Sequence, residues 1–307
     1  MITSIHKGEF ERNPARSIEQ QIKDFVATSP SNCLKVYPQE YIFDEPLVGF
    51  ANGDDTIFDN YKDIIGKFHQ TPREALEMGT WEHGDIDAVQ PEHVSVISFI
   101  LPASIKTKRG MRKQSIVPSL RWNHTRWLGQ AFIFTLSRHL VSLLHGLGYH
   151  AVAPELMYNY RVRELKRGYA SNWSQRHIAY AAGLGTFSLS DGFITRRGMA
   201  MRCGSVVTCL ELPASPRQYE HHLANCLFYH NGSCKRCIDR CPAGAITEEG
   251  HDKKKCREFL YGKQMEELKK NGGNQGFIGA YSGCGLCQTG VPCESENPVR
   301  SQTDKRL

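Results

Sequence analysis

The sequence predicts a mixed α/β domain over residues 1–222, a small cysteine-rich domain over 223–297 and a polar tail over 298–307. Three observations predict it. The run Val94-Ser-Val-Ile-Ser-Phe-Ile-Leu101 is β-rich and nearly all apolar, as a central strand covered on both faces would be, and it stops at Pro102. Apolar residues then recur at helical spacing from Thr125 to Leu144 (Leu128, Phe132, Leu136, Leu140, Leu143, Leu144), and Tyr149-His-Ala-Val-Ala153 resumes a strand, the alternation of an α/β core. Eight of the eleven cysteines lie between Cys226 and Cys293.

Taken in order, Ser17-Ile-Glu-Gln20 is a capping box that opens an amphipathic helix with Ile18, Ile22, Phe25 and Val26 on one face. Pro46–Asn52 reads as a short buried strand, followed by a helix near Phe58–Phe68. Thr71-Pro-Arg-Glu74 puts a cap, a proline at the first helical position and a box glutamate in their expected order, so another helix begins there. The Thr125–Leu144 helix closes at Gly146 and Gly148, with His139 and His145 as surface or C-terminal residues. Asn172 or Ser171 caps a helix over Trp173–Ala182 that Gly183-Leu-Gly185 ends in a tight turn. That turn lacks the third glycine of a dinucleotide fingerprint and follows a helix rather than a strand, which excludes a Rossmann site. Strands near Gly192–Thr195 and Gly204–Leu212 follow, with Cys203 and Cys209 as small buried residues. Gly250–Lys270 is basic and helical, and the tail beyond Pro298 is polar.

Composition narrows the classes. With 307 residues, 40% hydrophobic, the chain has enough apolar mass for a sizeable core. It contains no run of about 18 apolar residues, and Met1–Gly8 has neither an apolar leader core nor a twin arginine, so a cytoplasmic, non-membrane protein is expected. The net charge of +6 is scattered over short basic groups rather than collected into one basic face.

The cysteine spacings are those of metal ligands: Cys234-x2-Cys237-x3-Cys241-Pro242, then Cys256, then Cys284-x2-Cys287-x5-Cys293. The two-cluster bacterial ferredoxin run is C-x2-C-x2-C-x3-C-P, with its fourth cysteine ligating the other cluster. Asn231 stands where the first cysteine is expected, and Cys226, eight residues before Cys234, is the replacement. With each group crossing over in ferredoxin-like fashion, one set is Cys226, Cys234, Cys237 and Cys293, and the other is Cys241, Cys256, Cys284 and Cys287. Two [4Fe–4S] clusters are the expectation, with Gly283, Gly285 and Gly290 letting backbone N–H groups near the sulfides. Two zinc sites and a disulfide framework are the rivals; a C-P crossover has no role in the first, and nothing suggests the oxidising compartment of the second.

Ala182-Gly-Leu-Gly185, Gly204-Ser-Val-Val-Thr208 and the split cysteine run together resemble the epoxyqueuosine reductases and their relatives, the reductive dehalogenases, over about residues 90–295. The resemblance implies a nitroreductase-like α+β domain that holds cobalamin, followed by a ferredoxin-like domain whose two [4Fe–4S] clusters feed it electrons. It places the corrinoid at Gly183, Leu184, Gly185, Thr186, Gly204 and Ser205. The aspartate those reductases use as proton donor has no counterpart; its place falls near Tyr169, with Tyr160 and Tyr158 behind it, and a tyrosine is the acid of the dehalogenases. The C-terminal helical-repeat extension of the epoxyqueuosine reductases is missing, and with it part of a tRNA-binding surface. The implied activity is cobalamin-dependent reduction of a small-molecule or nucleoside substrate, tRNA included, with a low-potential ferredoxin or flavodoxin as electron donor. A non-catalytic two-cluster electron carrier is the alternative, and flavin in the first domain is a third reading.

Overall fold

The structure is a computed structural model that describes residues 7–82, 91–166, 168–270 and 275–300. The first six residues, read above for leader features, and the tail after 300 lie outside the described residues. Helices α1 (Lys7–Arg12) and α2 (Pro14–Thr28) open the chain. Helix α2 begins before the predicted box because Asn13 caps it: its Oδ1 accepts from the Arg16 N–H, and Pro14 presets φ at the first helical position. Ser17 is therefore inside the helix, while Ile18, Ile22 and Val26 are buried as expected.

Strand β1 (Leu47–Asn52) leads to α3 (Ile57–Ile64), which stops short of Phe68 as the chain turns at Gly66 with φ +147°. Helix α4 (Pro72–Glu82) has the predicted box in both directions: Thr71 Oγ1 accepts from the Glu74 N–H at 3.2 Å, and Glu74 Oε2 from the Thr71 N–H at 2.9 Å. Next come β2 (Ser95–Pro102), α5 (Ile105–Arg112) and α6 (Leu120–Gly146), capped by Ser119. The first turns of α6 escape the apolar periodicity because, after Trp122, their buried side chains Asn123, His124 and Thr125 are polar. Strand β3 (Ala151–Val152), the hairpin β4 (Val162–Leu165) and β5 (Gly168–Ser171), and α7 (Gln175–Ala181) follow. Neither Asn172 nor Ser171 caps α7. The buried Asn172 instead accepts from the Arg161 N–H at 2.8 Å and donates to Gln70 and to the Asn159 carbonyl.

Strands β6 (Gly185–Phe187), β7 (Phe193–Thr195) and β8 (Met201–Thr208) complete the first region. The second holds α8 (Leu227–Asn231), α9 (Arg236–Asp239), the hairpin β9 (Ile246–Thr247) and β10 (Gly250–His251), then α10 (Lys253–Tyr261) and α11 (Lys263–Lys270). The basic Gly250–Lys270 segment is thus a strand end and two helices parted at Gly262.

The main sheet has the order β1-β2-β8-β3, and every adjacent pair is antiparallel. This corrects the α/β expectation to α+β. Strands β2 and β3 do run parallel through the α6 crossover, but β8, arriving fifty residues later, sits between them and pairs antiparallel with both. All eight β2 residues are buried. Ile97, Phe99 and Leu101 join Ile18, Ile22, Phe132, Leu136 and Leu140 from α2 and α6 on one face; Val96 joins Phe58, Leu76 and Ile178 from α3, α4 and α7 on the other. Among the described residues no helix is long and apolar enough to cross a membrane.

The cysteine-rich region is tied to this scaffold at α6 and β7–β8. Asn123 donates to the Ile278 and Ser282 carbonyls, both at 3.0 Å, and accepts from the Ile278 N–H at 2.8 Å. Met199 N–H donates to the Cys293 carbonyl, and Ala200 N–H to that of Glu294. The buried Glu294 carboxylate pairs with Arg112 and accepts from the Gly290 N–H at 2.7 Å.

Candidate iron–sulfur centres and the adjoining cavity

Cys226 stands at the N-terminal cap of α8, whose five residues end at Gly232 in the left-handed conformation, φ +72°, so the chain doubles back to Cys234. Asn231 is exposed in that turn, its Oδ1 accepting from the N–H and hydroxyl of Ser233. Helix α9 presents Cys237. Cys226, Cys234, Cys237 and Cys293 line one small cavity of about 20 Å3, whose remaining wall includes Ile194, Met199, Phe228 and Val291.

The second cavity is far larger, about 320 Å3, and Cys241, Cys256, Cys284 and Cys287 all line it. Cys241 follows α9 and its sulfur accepts from the Ala245 N–H at 3.3 Å; Cys256 lies in α10, capped by Asp252. Cys284 arrives on the loop that Asn123 holds. Gly285 turns this loop at φ +64°, where a Cβ would stand 2.1 Å from the Trp122 ring. Its glycine thus serves a left-handed turn against α6, and Gly290 likewise turns beside Arg240.

None of the eleven cysteines is in a disulfide. Burial, then the neighbouring Cys226 and Cys234, pushes Cys237 up to about 12; burial, then Cys284 and Cys241, pushes Cys256 up to about 11. Cys284, Cys287 and Cys293 are also raised, by burial first, and the thiols acting on Cys293 are Cys226, Cys237 and Cys234. Buried sulfurs that oppose one another's ionisation fit a centre whose own positive charge stabilises the thiolates. A tetrahedral zinc site would bring its sulfurs within about 3.8 Å of one another, given zinc–sulfur bonds near 2.3 Å. Among the described residues no three His, Cys, Asp or Glu side chains are grouped to hold a single ion. Two sets of four thiols, each lining its own cavity, suit [4Fe–4S] cubanes.

The residues assigned to a corrinoid do not fit one. A Cβ on Gly185 would lie 2.3 Å from the Ile194 carbonyl oxygen, one on Gly183 2.5 Å from that of Pro216, and one on Gly204 2.5 Å from the Phe99 ring. The chain itself fills the space these glycines leave. Thr186 is fully buried and its hydroxyl accepts from the Asn225 N–H; Ser205 accepts from Trp173 Nε1 and donates to Gln175. Leu184 packs into the core beside Ala182. Tyr169 lies on β5 under the Arg257 guanidinium, 4.3 Å from ring centre to carbon, and does not line the cavity. Tyr160 packs against the core and Tyr158 is exposed. Cys203 packs beside Leu47 and Ile100, burial pushing its thiol up to about 11, and Cys33 donates to the Pro38 carbonyl in a surface turn.

Sequence reasoning missed four cavity residues: Arg126, Arg176, Arg202 and Tyr281. Arg126 Nη2 donates to the Tyr281 hydroxyl, and the Tyr281 carbonyl accepts from Trp127 Nε1 at 3.0 Å. These residues come from α6, α7, β8 and the loop before Cys284. A break in local pattern was available only on α6, where Arg126 falls beside buried polar residues.

The two thiol sets lie in a region, residues 230–293, that matches the 4Fe-4S double cluster binding domain, with Cys226 just upstream. Among named proteins the resemblance is to epoxyqueuosine reductase. The chain is 33% identical over 124 residues to that of Bacillus anthracis and 32% identical over 124 residues to that of Bacillus cereus. Each match covers 39% of this chain and 29% of the relative, so well under half of either relative's length is represented. A solved epoxyqueuosine reductase from Bacillus subtilis aligns with a TM-score of 0.43 and 16% identity, over 91% of this chain and 66% of that one.

Proposed function

We propose that the chain is an iron–sulfur oxidoreductase in which Cys226, Cys234, Cys237 and Cys293 hold one [4Fe–4S] cluster and Cys241, Cys256, Cys284 and Cys287 hold the other. The observation that carries the reading is the pair of four-cysteine cavities, one of about 20 Å3 and one of about 320 Å3. When bound, such clusters supply one-electron chemistry at potentials reaching about −700 mV. A carrier has no use for the added cavity; a reductase needs it for the molecule being reduced. The double-cluster match supports the metal centres, and the name of the relatives supports reduction.

The division at residue 222, with a nitroreductase-like first domain, remains part of this proposal; helices on both faces of its antiparallel sheet support it. Tyr281, rather than Tyr169, is the proton donor. It lines the cavity, and its hydroxyl accepts from the Arg126 guanidinium, which orients the O–H to donate to a reduced product; solvent restores the proton. Because the corrinoid residues are committed to internal packing, no step is routed through cobalamin. The electron donor is of the low-potential ferredoxin or flavodoxin type, in a reducing compartment such as the cytoplasm, and the substrate is a small molecule or nucleoside. Hairpin β4–β5 packs on α10, setting Lys254 beside Glu164 and Arg257 on Tyr169, which supports contact with a larger anionic partner such as tRNA.

Anaerobic protein should contain about eight iron and eight sulfide per chain. Zinc with negligible sulfide would overturn the reading. Cobalamin titrated into the cluster-loaded protein should leave the corrinoid absorbance unchanged, and micromolar binding would restore the corrinoid.

A further inference from the structure

We propose that the cavity beside Cys241, Cys256, Cys284 and Cys287 is an oxyanion site, taking a small substrate by a carboxylate or phosphate group bound to Arg126, Arg176 and Arg202. This rests on the reading of that cavity as the place of reduction and names the class of molecule it receives.

All three guanidiniums line the cavity, and their hydrogen bonds go to neutral groups: Arg126 to the Tyr281 hydroxyl, Arg202 to Gln130 Oε1 and Arg176 to the Asp191 carbonyl. Among the described residues the ion-paired arginines are Arg73, Arg112, Arg121, Arg197, Arg217 and Arg236, and none of the cavity three. The Nε of Arg202 is buried with no hydrogen-bond partner. A guanidinium N–H held away from water without an acceptor is destabilising, so a site of this kind is completed by an anion. The planar guanidinium fork matches the oxygens of carboxylate and phosphate. Glu155, whose charge acts on Arg202 and Arg126, forms no ion pair with either and is engaged by the amides of Gln130 and Gln175 at 3.2 and 3.0 Å; His251 on the cavity wall pairs with Asp191 at 3.3 Å.

The arginines could instead serve only to offset the charge of the iron-bound thiolates. The other thiolate set is the internal control. It also presents four sulfurs and an equal charge to offset, yet no arginine lines it, and its cavity is about 20 Å3 against about 320 Å3. Both the added space and the added cations belong to one centre, as a ligand site requires.

The test uses anaerobic, cluster-loaded full-length protein, with pyrophosphate and succinate as separate probes in titration calorimetry. Saturable binding of either is expected; pyrophosphate alone marks a phosphate site, succinate alone a carboxylate site. Arg202→Gln should weaken it roughly ten- to a hundredfold, as expected for losing a charged hydrogen-bond donor, with partial recovery in Arg202→Lys and no effect of Arg12→Gln. The bound probe should also shift the paramagnetic signal of one reduced cluster and leave the other unchanged. No binding at millimolar probe, or binding indifferent to both Arg202→Gln and Arg126→Gln, overturns the oxyanion site while intact iron and sulfide leave the oxidoreductase standing. Missing sulfide overturns the oxidoreductase, and calorimetry still decides the oxyanion site because it needs no cluster signal.

Discussion

Replacing Cys226 by alanine removes one of four sulfurs from the smaller cavity and little else. The side chain is 8% exposed and packs among Leu189, Ile194, Met199 and Val291, so the fold loses one small buried group. The expected consequence is compositional. Iron should fall from about eight to about four per chain if the whole centre is lost, or to about seven if a three-iron cluster persists. Anaerobic iron and sulfide determination separates the first outcome, and a paramagnetic signal in the oxidised protein identifies the second. Cys33→Ala is the control, its thiol bonded only within a surface turn, and should leave iron unchanged. Adding Asn231→Cys to Cys226→Ala should not restore iron, because position 231 lies outside the cavity wall in an exposed turn held by Ser233. Full iron in Cys226→Ala, or its return with Asn231→Cys, would refute the assignment.

Tyr281→Phe should keep its iron and lose about a hundredfold or more in substrate reduction, whereas Tyr169→Phe should turn over normally; equal losses in both would remove Tyr281 as the acid. Asn123→Ala abolishes three hydrogen bonds to the loop carrying Cys284 and should cost about 3 kcal/mol, seen as a lower Tm with iron loss from the Cys284 centre; an unchanged Tm would count against this anchoring. Burial lowers His69 to about 4 and His177 to about 3, from an ordinary value of 6.5. The unfolded chain then binds protons that the folded one refuses, so stability should be full above about pH 6.5 and fall with acid towards pH 4, by about 1.4 kcal/mol per pH unit for each histidine. Thermal melts of His177→Asn should show a shallower fall, and a wild-type profile that is flat from pH 7 to 5 would contradict it.

Sequence pattern sufficed wherever one element's own neighbours decide its structure. The apolar run at Val94–Leu101, the Thr71–Glu74 box and the cysteine spacings each carry their signal within a few residues. It failed where distant packing decides. Asn172 looked like a cap but is used by Arg161, Gln70 and Asn159. Gly183, Gly185 and Gly204 looked like room for a ligand, but the same absence of a side chain serves close approach of Pro216, Ile194 and Phe99. A glycine announces that something comes near and is silent on what does. Sheet order was equally hidden, since β8 enters between β2 and β3 only after residue 200.

The cavity could not be read from any single stretch because it exists only where the two regions meet. Arg126 and Asn123 are neighbours on α6; Asn123 holds the loop at Ile278 and Ser282, between which Tyr281 meets Arg126, and Cys284 follows two residues after Ser282. One short segment thus carries an anchor, the proposed proton donor and a proposed metal ligand. In the proposed centre, fixing Cys284 by iron would also fix Tyr281 against the Arg126 guanidinium. Protein without iron at this centre should lose its redox chemistry and the fixed position of Tyr281, while the guanidiniums, carried on α6, α7 and β8, stay in place.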